Sequence, residues 1–249
     1  MIQNRRIVGV VTHVLVKAKY RGTWDFLKNK KGKFYAVTYD CRKPDRTCHV
    51  MGMFPHRTQE LELTAEAILA KNGSSGYTLI AFQADDWNRD FSPWKSSKLD
   101  SSFSGGAVQT LTYIQDSVIP QIKATHGIDC PIYLMGYSLA GLFSLWSAFQ
   151  TDVFAGAASC SGSLWYPEFL SYVKENVVGK PSKKFYLSLG GKESHTKNLL
   201  MASIADRTQE CVQLLREYHQ VKYELNPGGH FADPGKRLAK AVEWLLTNT

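Results

Sequence analysis

From Tyr77 onward, two kinds of apolar pattern alternate along the chain. Short continuous runs predict strands buried on both faces: "YTLIAFQA" (77–84), "PIYLMG" (131–136), "FAGAASCSG" (154–162), "FYLSLG" (185–190) and "VKYEL" (221–225). Between them, apolar residues recur every three or four positions, the spacing of one helix face. Leu61, Ala65, Ile68 and Leu69 mark one such face, and Leu111, Ile114, Val118 and Ile122 mark another. Pro120 predicts a kink or an end in that second helix. Leu139–Gln150 is apolar almost all round, as a central buried helix should be. Cys211, Leu214, Leu215 and Tyr218 line a further helix, and Leu238, Ala241, Val242 and Leu245 line the closing one.

The first 60 residues read differently, as strands and turns. Ile7–Val16 and Phe34–Tyr39 are predicted strands, followed by a loop through Pro44 and Pro55. The whole chain is then one α/β domain, residues 1–249, with N-terminal strands and loops over 1–60 and the chemistry-bearing core over 61–249. Strands alternating with helices predict a mostly parallel sheet with helices on both faces. Ligands of such sheets bind beyond the carboxyl ends of the strands. The loops after Ala84, Gly136, Gly162, Gly190 and Asn226 converge there.

Composition narrows the class. The chain has 249 residues, 44% hydrophobic and 21% charged, the balance of a water-soluble domain. No stretch reaches the roughly 18 apolar residues of a membrane helix. "MIQNRRIVGVVTHVLVKAK" has no clear cleavage site and reads as a strand, so a cytoplasmic location is expected. The five cysteines are scattered, and Cys41 and Cys48 with His49 lack a second ligand pair, so neither a metal nor a disulfide is expected. The net charge of +8 is concentrated only at "KNKKGK" (28–33), a hairpin tip. Nothing marks a nucleic-acid module or a membrane partner.

The candidate chemistry starts at "GYSLAG" (136–141). Small residues two before and two after Ser138, between a strand and a helix, are the context of a nucleophile elbow. Ala140 stands where glycine is more usual. A serine hydroxyl needs a base. His13, His49 and His56 precede the elbow, and His126 and His219 end helices. His195 is a weak rival. His230, in "NPGGHFADP" after the last strand, sits on a tight loop at the carboxyl edge. The acid belongs between serine and histidine in chain order. Glu193, just past a strand end, fits better than Asp206 or Asp233, which sit at helix starts. The oxyanion hole requires backbone N–H groups. Leu139 offers one, and the loop after Ala84 offers another at Asp86 or Trp87. Aromatics above the same edge, Trp87, Trp94, Tyr137 and Trp165, are candidates for the substrate wall.

Four segments together resemble a known group: "DDWNRDFSPW", "GYSLAGLFSLW", "AASCSGSLWYP" and "LGGKES…NPGGHF". The chain resembles the α/β-hydrolase superfamily, in the esterase family that includes enterochelin esterases and esterase D. The resemblance covers about Asp85 to the C-terminus. It implies cofactor-independent serine-esterase chemistry on a small-molecule ester, with Ser138 as nucleophile, His230 as base and Glu193 in the region of the acid. It departs at Ala140, and at Glu193, where many relatives have Asp. An acyltransferase using the same residues, or a non-catalytic binding protein, are the alternatives.

Overall fold

The computed structural model describes residues 34–35, 47–53, 77–126, 130–178 and 181–247. Among the described residues, seven strands form one sheet: β1 Phe34–Tyr35, β2 Thr47–Met53, β3 Tyr77–Gln83, β4 Ile132–Tyr137, β5 Gly156–Cys160, β6 Lys184–Gly190 and β7 Gln220–Asn226. Their spatial order is β1-β3-β2-β4-β5-β6-β7. Only β1 is antiparallel, against β3; all other pairs are parallel. The α/β architecture is the one the apolar runs predict. The predicted strand Ile7–Val16 and helix face Leu61–Leu69 lie outside the described residues, as do Cys41 and "KNKKGK".

One expectation fails outright. The segment assigned to a loop between Pro44 and Pro55 contains β2, a central strand whose Gly52 pairs with both Phe82 and Gly136. A division of the chain at residue 60 therefore leaves an inner strand of the sheet on the wrong side. Its sequence "TCHVMGM" carries few β-branched or aromatic residues, so local propensity is weak. Pairing on both edges supplies what propensity lacks.

Strand alternation divides the core in two. Leu134, Ala157, Phe185 and Leu187 belong to one layer, packed with the helices α2 (Ala107–Tyr113), α4 (Leu139–Gln150), α5 (Phe169–Asn176) and α7 (Ile204–Arg216). Tyr133, Met135, Tyr137, Ala158, Cys160 and Tyr186 face the other way, onto Leu238, Ala241, Val242 and Leu245 of α8 (Pro234–Thr247). Helix α4 is buried from Leu139 to Phe149, which explains why its sequence shows no polar stripe.

Three helices occupy segments for which the apolar pattern predicts no helix. The polar loop after β3 holds α1 (Trp87–Phe91), closed by a reciprocal cap: Arg89 N–H donates to Asp86 Oδ1 and Asp86 N–H to Asp90 Oδ2. The other two are α5 and the short α6 (Leu199–Ala202). Pro120 neither ends nor visibly breaks its helix. The backbone widens into a π-helical turn over Ile114–Val118 and continues as α3, Ile119–His126. The wider turn precedes the residue whose ring would clash with the carbonyl four back. The free cysteines Cys160 and Cys211 are fully buried, and burial pushes both thiols up to about 12. They are inert packing groups.

Candidate active site

Ser138 lies at the joint between β4 and α4. Its backbone has φ 57° and ψ −123°, strained for any residue but glycine. The strain is held by its neighbours. Ser138 N–H donates to Cys160 O, and Ser138 O accepts from the N–H groups of Gly141, Leu142 and Ser163. Gly136 is required, because a Cβ there would lie 2.4 Å from the Ala140 carbonyl carbon and oxygen. That contact also explains why alanine serves at position 140. The two positions share one close approach, and a glycine at 136 suffices to relieve it. The Ser138 hydroxyl is half-exposed, with the Ser163 hydroxyl 3.4 Å away.

Glu193 and His230 meet. The His230 Nδ1 to Glu193 Oε2 distance is 2.7 Å, the Glu193 side chain is 3% exposed and the His230 side chain 31%. Glu193 follows β6 in a turn where its N–H bonds Gly190 O, and Gly190 N–H returns a bond to its Oε1 at 2.6 Å. Burial pushes this carboxyl up, but hydrogen bonds from His230, Ser161 and Gly190 N–H outweigh it and hold it below its ordinary value. It is a carboxylate at neutral pH. Nδ1 therefore carries a proton and donates it, which leaves Nε2 to accept.

The serine and histidine loops are tied together as well. His230 follows β7, three strands from β4. Its loop doubles back: the Tyr137 hydroxyl, one residue before Ser138, donates to the His230 carbonyl at 2.5 Å, and the two rings are 5.4 Å apart. Of the rival histidines, His219 is buried and its Nδ1 accepts from the Lys183 N–H, a structural post. His195 is exposed. Asp206 lies in the first turn of α7. Asp233 pairs with Lys236 just ahead of α8.

The proposed wall and oxyanion residues divide. Trp94 is an anchor: its indole N–H donates to Pro167 O and its ring packs on Tyr166 and Tyr172. Trp87 packs edge-on against Phe91. Tyr137 is 4% exposed, and its hydroxyl is fully engaged in bracing the histidine loop, so it is no substrate contact. Trp165 lines a cleft of about 240 Å³ with Lys98, Leu164, Glu168, Leu200 and Arg207, and neither Ser138 nor His230 is among the lining residues. Leu139 N–H opens α4 next to Ser138. The Asp86 N–H is turned to its own helix cap. Asp86 and Trp87 also follow β3, whereas the strand beside β4 is β2. At about 4.8 Å per strand, the loop after β3 starts two strands from the serine. β2 ends at Met53, one strand away, and the residues that follow it lie outside the described residues.

One residue escaped sequence reading. Arg237 of α8 is 2% exposed and makes five hydrogen bonds: Nη1 to Glu193 Oε1, Ser161 Oγ and Tyr137 Oη, and Nη2 to the Pro227 and Gly229 carbonyls. An arginine in "DPGKRLAKAV" looks like a solvated helix residue. Its one signal was position, since Arg237 precedes Leu238 and is four residues from Ala241 on the buried face. Among the described residues, no group of three His, Cys, Asp or Glu side chains is placed to hold a metal, and no helix is long and apolar enough to cross a membrane.

The sequence pattern of the family described as "Putative esterase" matches residues 58–234, well over half of the chain. The chain belongs to that family. It is an esterase on the α/β-hydrolase fold. Solved structures agree on the fold. An IroE-like serine hydrolase from Shewanella oneidensis superposes with a TM-score of 0.71 at 15% identity, over 82% of this chain and 71% of the other. The siderophore hydrolase EstA from Aspergillus nidulans gives 0.71 at 16%, over 96% and 99%. An S-formylglutathione hydrolase from Agrobacterium tumefaciens gives 0.64 at 8%, over 95% and 99%. No curated protein sequence matches. At such identities the likeness carries the fold and not the substrate.

Proposed function

We propose that this esterase cleaves small-molecule carboxylic esters through an acyl-enzyme, with Ser138 as nucleophile, His230 as general base and Glu193 as the acid that orients it. The observation that carries the proposal is the junction of the strained Ser138 turn with the Glu193–His230 pair, bridged by Tyr137.

The steps follow from the chemistry of these groups. His230 Nε2 takes the Ser138 Oγ proton as Oγ bonds to the ester carbonyl carbon. The carbonyl π electrons move onto oxygen, and the Leu139 N–H donates to that oxyanion. One oxyanion donor is worth about 100- to 1,000-fold in rate. The tetrahedral adduct collapses, the ester C–O bond breaks and the imidazolium gives its proton to the leaving alkoxide. Water, deprotonated by His230, then attacks the acyl carbon; the bond from that carbon to Ser138 Oγ breaks, the imidazolium returns its proton to Oγ, and the acid leaves. Glu193 stays ionised throughout and offsets the imidazolium charge. The cleft beside Trp165 is the proposed seat of one side of the substrate.

The test is hydrolysis of p-nitrophenyl acetate and butyrate by the wild type and Ser138→Ala, with a fluorophosphonate probe on both. Covalent labelling at Ser138 and loss of turnover in the variant are expected. Full activity of folded Ser138→Ala overturns the proposal.

A further inference from the structure

Arg237 is buried, charged and in contact with neither a solvent front nor the serine. A buried arginine is rare, and it must be repaid in hydrogen bonds and an opposite charge. Here both are present, and every partner belongs to the catalytic frame. Nη1 is shared among Glu193 Oε1 at 2.9 Å, Ser161 Oγ at 2.7 Å and Tyr137 Oη at 3.0 Å. Nη2 grips the carbonyls of Pro227 at 3.0 Å and Gly229 at 2.9 Å, which precede His230 on its own loop.

These contacts close a circuit. Tyr137 Oη accepts from Arg237, and its own O–H donates to the His230 carbonyl at 2.5 Å. The histidine loop is therefore held at three carbonyls, two directly and one through tyrosine. Burial pushes the Tyr137 hydroxyl up to about 12, so it stays a donor over any working pH. Glu193 Oε1 meanwhile receives Ser161 Oγ–H, Gly190 N–H and Arg237. With one oxygen held by three donors, the carboxylate cannot rotate, and only Oε2 is presented to Nδ1. The space is fitted to this purpose: a Cβ at Gly190 would stand 2.8 Å from both Arg237 Nη2 and Glu193 Oε1.

The geometry points to Arg237, relayed by Tyr137, as the positioning residue that sets His230 against Ser138. It touches no reacting atom. The inference rests on the proposed serine mechanism and adds to it a fourth polar group, on the closing helix, with a second, tyrosine-borne arm.

Tyr137→Phe removes only the hydroxyl, and Arg237→Lys keeps the charge but not the two-armed fork. Each is expected to lower kcat about tenfold or more, the scale of sub-ångström misplacement of a catalytic base, with KM on p-nitrophenyl butyrate changed less than about twofold. The double variant is expected to lose less than the product of the two single losses, because the Tyr137 arm is itself held by Arg237. Thermal unfolding identifies folded variants, and either single variant that folds decides the matter. A folded variant with kcat within about twofold of wild type, or with its loss confined to KM, overturns the inference. So does a double variant whose losses multiply. Ser138→Ala is run alongside: if it remains active, the serine mechanism has failed; if it is dead while Tyr137→Phe is intact, only the relay has.

Discussion

Two adjacent strands of this esterase end in the same way and do opposite things. β4 ends at Tyr137 and is followed by Ser138 at φ 57°; β5 ends at Cys160 and is followed by Ser161 at φ 47°. Both serines sit on the carboxyl edge in a conformation that glycine usually takes. The Ser138 hydroxyl stands at a half-exposed surface beside another hydroxyl. The Ser161 hydroxyl is 1% exposed, donating to Glu193 and accepting from Arg237. Backbone strain alone therefore does not mark a nucleophile. What the hydroxyl meets decides: in the proposed mechanism one is left for an incoming carbonyl, whereas the other is consumed in holding Glu193.

The contrast breaks most sharply at the first serine. Ser138→Ala is expected to reduce kcat/KM at least about 1,000-fold, with thermal unfolding unchanged within error. Next, Glu193→Gln keeps the shape of the acid but presents an amide to Nδ1. A loss of about 100-fold or more in kcat, read with the same ester, is expected. Ser161→Ala should show the reverse balance from Ser138→Ala. It strips a partner from both Glu193 and Arg237, and about 1–3 kcal/mol of stability should go with it, measured by urea denaturation, against only a severalfold fall in kcat. If Ser161→Ala were the inactive, stable variant, the two roles would be exchanged.

The smallest effect is on pH dependence. The folded Glu193 carboxyl lies below its ordinary value of 4.5. A depressed carboxylate contributes stability that is complete above the unfolded value and fades as pH falls through the folded one. The stability gap between wild type and Glu193→Gln should therefore be constant above about pH 5 and narrow on acidification below about 4.5. Denaturation curves from pH 7 to 3 measure it. A gap that widened in acid would mean that Glu193 folds protonated.

The strand before Ser138, the helix after it and the His230 loop were legible because each is locally determined. A strand buried on both faces must be an apolar run, an elbow must have small flanking residues, and "NPGGH" must turn. β2 was not legible, because "TCHVMGM" becomes a strand through its two neighbours and not through its own residues. Nor were the assignments at Asp86, Trp94 and Tyr137. Sequence placed each on the correct edge, but side-chain direction turned Asp86 into a cap, Trp94 into an anchor and Tyr137 into a brace. Arg237 illustrates the same limit from the other side. Its type announces solvent, and only the tertiary fold supplies the carboxylate and carbonyls that allow it inside.

The place of Arg237 on the last helix has a consequence for synthesis. Ser138 leaves the ribosome 99 residues ahead of Arg237, a delay of about 5–20 s at ordinary elongation rates. Within that interval Glu193 follows Ser138 by 55 residues and His230 by 92, so Arg237 is the last of the four to be made. In the proposed mechanism the polar frame that braces His230 is therefore complete only once α8 has been made.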